Sequence, residues 1–165
     1  MVARSLTLFI IYVMLLSSCG YALRGKVELP EGMKHIYIDG GSVSLISALK
    51  KILRFSAAKV VPSPDLADMT LKILDDKLNR RSGALSSRGK TREFELNYFL
   101  EFEMLDSSEN LLAPRQTVEV IRYYFNDQTD VIAKGIEETV ITQEVYEQAV
   151  HRLIDKARIA LKSKV

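Results

Sequence analysis

The sequence predicts an α/β (α+β) chain built as a two-layer sandwich, with two α-helices packed on one face of a mixed four-stranded β-sheet. Three observations predict it. From Phe94 to Met104 the even positions are Phe, Leu, Tyr, Leu, Phe and Met, while Glu93, Glu95, Asn97, Glu101 and Glu103 stand between them. That period of two marks a long strand with one buried and one wet face. Two segments, around residues 43–54 and 137–162, instead repeat their apolar residues at the helical period. The order is strand, helix, several strands, helix, and two amphipathic helices suffice to cover one face of such a sheet.

The N-terminus reads differently. Arg4 precedes an apolar run from Leu6 to Leu16, and the small residues Ser17 and Ser18 stand before Cys19, the chain's single cysteine. This is the layout of a secretory signal. The run is well short of the roughly 20 residues that span a bilayer as a helix. A cysteine directly after the small residues is the mark of a bacterial lipoprotein signal. The expectation is cleavage after Ser18, S-diacylglycerol and an N-acyl group on Cys19, and a mature chain held by lipid. Each buried methylene contributes about 0.8 kcal/mol, so two or three acyl chains together give a stable anchor. Gly20, where inner-membrane lipoproteins often carry Asp, directs the expectation to the outer membrane. The plainer alternative is an ordinary signal with Cys19 left as a free thiol.

Residues 1–18 are thus expected to be the signal peptide and 19–165 one domain. Of the 165 residues, 147 remain after the signal, with 22 basic and 21 acidic side chains. Net charge therefore names no partner, and an electrostatic function must lie in local clusters. Beyond Cys19 there is no thiol for a disulfide or a metal. His35 and His151 lie on separate elements without ligand spacing, so no metal site is expected.

Taken in order, His35–Asp39 alternates, with Ile36 and Ile38 on one face: the first strand. Gly40 and Gly41 turn the chain, and Ser42 or Ser44 caps the helix that follows. Asp39–Ser42 looks superficially like a phosphate loop but lacks its lysine spacing. In the helix, Leu45, Leu49, Ile52 and Leu53 form the stripe. Lys59–Val61 is a candidate short strand ended by Pro62 and Pro64. Thr70–Leu74 is a strand, with Asp75 and Asp76 as its polar end. The long alternating strand follows, then a polar turn at Asp106–Asn110. Thr117–Phe125 is rich in Val, Ile and Tyr and reads as a strand. The last helix has its stripe at Ile141, Val145, Ala149, Leu153, Ala157 and Leu161, and Gly135 blurs its start. The first strand, helix and next strand form a candidate crossover unit.

Two clusters carry chemistry. Between the long strands, residues 80–92 hold Arg80, Arg81, Arg88, Lys90 and Arg92 and no acid. Guanidinium and ammonium groups on a loop suit phosphate. The plainer account is a solvated hairpin tip whose charges discourage edge pairing. Tyr123, Tyr124 and Phe125 gather aromatics at a strand end, either as core packing or as a contact surface for a partner or lipid. Lys134 stands just beyond, among Val131, Ile132 and Ala133. An exported chain disfavours nucleic acid, and no nucleophile, base and orienting acid assemble into a catalytic set.

The segments CGYALRG, HIYIDGG, TREFELNYFLEFEML, RYYFND, VIAKG and EETVITQEVYEQAVHRLIDKARI follow one another in an order that resembles the LPS-assembly lipoprotein family, LptE or RlpB. The resemblance covers nearly the whole mature chain. It implies a two-layer sandwich, and a non-enzymatic, cofactor-free lipoprotein on the periplasmic face of the outer membrane. The implied partners are the β-barrel translocon subunit LptD, whose lumen it plugs and whose assembly it aids, and lipopolysaccharide. Basic residues tied to the ligand lie in the inter-strand loop and in the turn before the last helix. The turn match is Lys134. In the loop the aligned position is Ser87, with Arg88, Lys90 and Arg92 nearby. The rival reading is a structural envelope lipoprotein that binds cell wall or another periplasmic protein.

Overall fold

A computed structural model describes residues 33–54, 56–83, 93–125 and 131–162, with residues 131–134 and 162 described as backbone alone. The expected signal peptide and Cys19 lie outside the described residues. The elements are β1 (His35–Asp39), α1 (Val43–Leu53), β2 (Lys59–Val61), a 3-10 turn (Pro64–Leu66), β3 (Met69–Ser82), β4 (Glu93–Asp106), β5 (Leu111–Phe125) and α2 (Val131–Lys162).

The sheet has five strands in the order β2-β1-β3-β4-β5, one more than the four expected. The fifth is Lys59–Val61, which pairs parallel with β1 from His35 to Tyr37. This is the candidate short strand of the sequence; three residues are too short to display a period, and the pairing makes it a member of the sheet. β1 is also parallel to β3, while β3–β4 and β4–β5 are antiparallel. The architecture is therefore the expected α+β sandwich on a mixed sheet.

β4 is the spine of the core. Leu96, Tyr98, Leu100, Phe102 and Met104 are buried, as the alternation requires. Against them pack Leu45, Leu49 and Leu53 of α1 and Val145, Ala149, Leu153 and Ala157 of α2. The rings of Tyr98 and Tyr146 meet at 4.7 Å between centroids and 60°. Such tilted pairs contribute about 0.5–1.5 kcal/mol beyond their burial.

The turn from β1 into α1 needs its glycines. Gly40 and Gly41 hold φ of 84° and 88°. A side chain on Gly40 would also stand 3.2 Å from the carbonyl oxygen of Ile73 in β3. Ser42 then caps α1, its Oγ accepting from the Leu45 amide at 3.2 Å. The Ser42 amide itself donates to Asp76 Oδ2 at 2.6 Å, which places a carboxylate at the positive end of the helix.

β3 differs most from expectation. It does not end at Leu74 but runs through Asp75 and Asp76 to Ser82. A bulge between Ile73 and Asp75 shifts its register against β4. Before it, Met69, Leu71 and Ile73 share the face of Asp106, Met104 and Phe102; after it, Asp76, Leu78 and Arg80 share the face of Leu100, Tyr98 and Leu96. The extra residue changes which parity faces the helices. β5 likewise begins earlier than Thr117, at Leu111, with Pro114 at an irregularity in the β4–β5 register where it has no paired residue. α2 begins at Val131, so VIAKG is its first turn and a half rather than a turn before it.

Burial, followed by Asp76, holds the Tyr98 phenol well above its ordinary range. The unfolded chain ionises this group near pH 10, so the stabilisation is complete below that pH and declines as the pH rises above it. Chemical denaturation of Tyr98→Phe across pH 8–11 is expected to show a shallower alkaline loss of stability than the parent chain.

Candidate functional site

The end of the sheet where β3 stops and β4 starts gathers the charged residues. The two strands stay paired to the base of their loop, where the Gly83 amide donates to the Glu93 carbonyl at 2.8 Å. Residues 84–92, with Arg88, Lys90 and Arg92, lie outside the described residues. Their anchor points are fixed all the same: Gly83 on one side and Glu93 on the other.

Arg80 is the organising side chain at this end. The bulge turns it toward the helices, where its Nη1 donates to both carboxylate oxygens of Glu138 at 3.0 Å. The guanidinium also lies 4.8 Å above the centre of the Phe94 ring. Phe94 in turn stacks on Tyr124 at 5.5 Å. Burial raises the Tyr124 phenol above its ordinary range, and the adjacent Glu138 adds to that. The cluster joins β3, β4, β5 and α2, and it fixes where α2 starts over the sheet. Lys134 stands four residues before Glu138 on the same helix, one turn toward the sheet end. Gly83 and Glu93, which bracket residues 84–92, and the first turns of α2 thus lie at one end of the sheet, brought there by β3, β4 and α2.

Tyr123, Tyr124 and Phe125 separate. Tyr124 is buried in the cluster, at 3% exposure, while Tyr123 (59%) and Phe125 (73%) face outward. Ile136 and Val140 are exposed on α2 within a turn of Glu138. The charged end is therefore bordered by exposed apolar side chains on both β5 and α2. The alternation of β5 alone separates Tyr124 from its neighbours. Glu138 and Phe94 were not singled out as site residues; 58 positions part Arg80 from Glu138, and no local pattern spans that distance.

A concavity lies between the helices. It is a groove of about 360 Å³, lined by Val43, Ser44, Ser47, Thr139, Thr142 and Tyr146. Lys51 and Glu147 bridge it at 2.5 Å. Lys51, then Gln143, holds the Glu147 carboxyl below its ordinary range. Among the described residues no group of three His, Cys, Asp or Glu side chains is arranged to hold a metal. No helix among them is long and apolar enough to cross a membrane.

This arrangement is that of small bacterial lipoproteins. The structure superposes on the solution structure of lipoprotein B from Nitrosomonas europaea with a TM-score of 0.69 and 27% identity, over 84% of this chain and 90% of that one. It shares the fold of rare lipoprotein B from Shewanella oneidensis, with a TM-score of 0.60 and 21% identity over 79% of this chain and 98% of that one. A sequence relative described as LPS-assembly lipoprotein LptE, from Pectobacterium atrosepticum, is 27% identical over 147 residues, or 87% of this chain and 79% of its own length. The profile of the family described as LptE, lipopolysaccharide-assembly, matches residues 33–157. The chain belongs to the LptE family.

Arg80 and Glu138 are both substantially exposed, so their pair contributes little to global stability, on the order of 1 kcal/mol or less. Its effect is local. Glu138→Ala is expected to leave the denaturation midpoint nearly unchanged while amide exchange of residues 135–142 rises several-fold. Residue-resolved hydrogen exchange checks this.

Proposed function

We propose that this chain is an outer-membrane lipoprotein, anchored through acyl groups on Cys19 at the periplasmic face. In this reading it plugs and helps assemble the β-barrel translocon subunit LptD, and it binds lipopolysaccharide during insertion into the outer leaflet. The proposed activity is binding and not catalysis.

The observation that supports the reading is that Gly83 and Glu93, which bracket the basic residues 88–92, stand at the same end of the sheet as the first turns of α2. Lipid A presents phosphates beside acyl chains. Arg88, Lys90 and Arg92 stand on a loop anchored at Gly83 and Glu93, and Lys134 lies one turn before Glu138. Arginine offers a planar fork and lysine a point charge, and both suit phosphate. Exposed Ile136 and Val140 border the same end and suit acyl chains. Arg80 is already committed to Glu138, so it serves as the frame of the site and leaves the loop and Lys134 to meet the ligand.

Replacing Arg88 and Lys90 together by Glu reverses two charges in the segment between Gly83 and Glu93. The double variant is expected to keep the parent circular dichroism and thermal midpoint. Its affinity for purified lipopolysaccharide is expected to fall by about tenfold or more, equivalent to 1.4 kcal/mol. Binding by the parent should weaken as salt rises. A folded double variant that binds as the parent does would remove the loop from the site.

A further inference from the structure

β5 is an edge strand throughout, and α2 protects only its middle. The strand order leaves the side of β5 away from β4 without a neighbouring strand among the described residues. Arg152 of α2 donates to the backbone carbonyl of Glu119. That carbonyl therefore points away from β4. The register from Glu119 to Phe125 is unbroken, so the amides and carbonyls of Ile121 and Tyr123 point the same way. Among the described residues no hydrogen bond is recorded to those outward groups.

The side chains there are equally open. Ile121, Tyr123 and Phe125 are 41%, 59% and 73% exposed. Beside Tyr123 and Phe125 on β4 stand their cross-strand partners Glu95 and Glu93. The Glu95 carboxylate is close enough to raise the Tyr123 phenol above its ordinary range. Natural edges are usually blunted by lysine, proline, bulges or a covering element. Here Pro114 and Arg115 stand at the far end and Arg152 reaches the centre. From Ile121 to Phe125 the one charge is Arg122, which shares the helix-side face with Leu96.

We propose that Ile121–Phe125 is a docking edge for a short extended segment of another polypeptide, which adds beside β5 as a sixth strand. Main-chain hydrogen bonds to Ile121 and Tyr123 supply the pairing. The occupant carries apolar side chains along the row of Ile121, Tyr123 and Phe125, and a basic one that reaches over Tyr123 toward Glu95 and Glu93. A second copy of this chain fits poorly. A longer self-paired ladder runs through Glu119 on both copies and displaces both Arg152 side chains, and it brings the two acidic rows onto one face.

The inference rests on the proposed assembly role only in expecting a partner chain in the envelope. Hydrogen exchange of the full lipidated chain, in outer membranes and after purification in detergent, tests it. The amides of Ile121 and Tyr123 are expected to exchange at least about tenfold more slowly in the membrane, while those of Val120, Arg122 and Tyr124, which face β4, are slow in both. Ile121→Pro removes an outward donor and no ladder bond, so in membranes it should abolish the slowing at Tyr123. Ile121→Thr keeps the donor and should preserve that slowing. If the proline variant does not fold, the parent and the threonine variant still decide the matter. Equal exchange in the two states overturns the proposal. Concentration-dependent slowing in the purified chain assigns the edge to a second copy and also overturns it, as does slowing produced by purified lipopolysaccharide alone. Failure of the purified chain to bind lipopolysaccharide would defeat the proposed function and leave this comparison readable.

Discussion

The bulge between Ile73 and Asp75 is the constraint on which the site depends. A strand shows alternate side chains to opposite faces, so one inserted residue exchanges the faces of everything beyond it. Without it Arg81 would look toward the helices and Arg80 toward solvent. With it, Asp76 meets the start of α1 through the Ser42 amide, and Arg80 meets Glu138 of α2. The glycine turn after β1 passes close to the same place, and Gly40 and Gly41 both approach Ile73 closely enough that a side chain would crowd it. One irregularity in β3 thus registers both helices against the sheet.

From that registration follows the unequal distribution of chemistry. The middle of the sandwich is a dry apolar core built on β4. Charge collects where β3, β4 and β5 outrun that core, and Arg80, Glu138, Phe94 and Tyr124 close the end off. Gly83 and Glu93, which flank the basic residues 88–92, and the first turn of α2 are carried to that end by paired strands and a helix. The proposed binding surface would then be positioned by strand length and helix registration.

The sequence displayed this fold unevenly, for physical reasons. β4 was legible because one face is buried over its whole length, so its alternation is unbroken. The cap of α1 was legible as Ser42 or Ser44 because capping is local chemistry, and the structure selects Ser42. The stripe Val145, Ala149, Leu153 and Ala157 was legible because it packs without interruption. The second half of β3 was not, since its residues from Asp75 to Arg81 are mostly polar and are held by pairing with β4 and by ion pairs to distant elements. β2 was too short to show a period. The first turns of α2 contain Gly135 and β-branched residues, whose weak helical preference is overridden by tertiary contact through Glu138. The basic residues 88–92 and Lys134 were visible as charges, but that Gly83, Glu93 and the first turns of α2 share an end of the sheet emerges only from the bulge and the registration of α2.

The central claim is that one end of this sandwich meets an anionic amphiphile. Chemical-shift mapping of the isotopically labelled chain with purified lipopolysaccharide tests it most directly. The account predicts perturbations concentrated at Gly83, Glu93 and residues 131–140, with the opposite end around β2 and Pro64–Leu66 unchanged. Perturbations confined to the β2 end or to the groove between the helices, or none at saturating ligand, would contradict it.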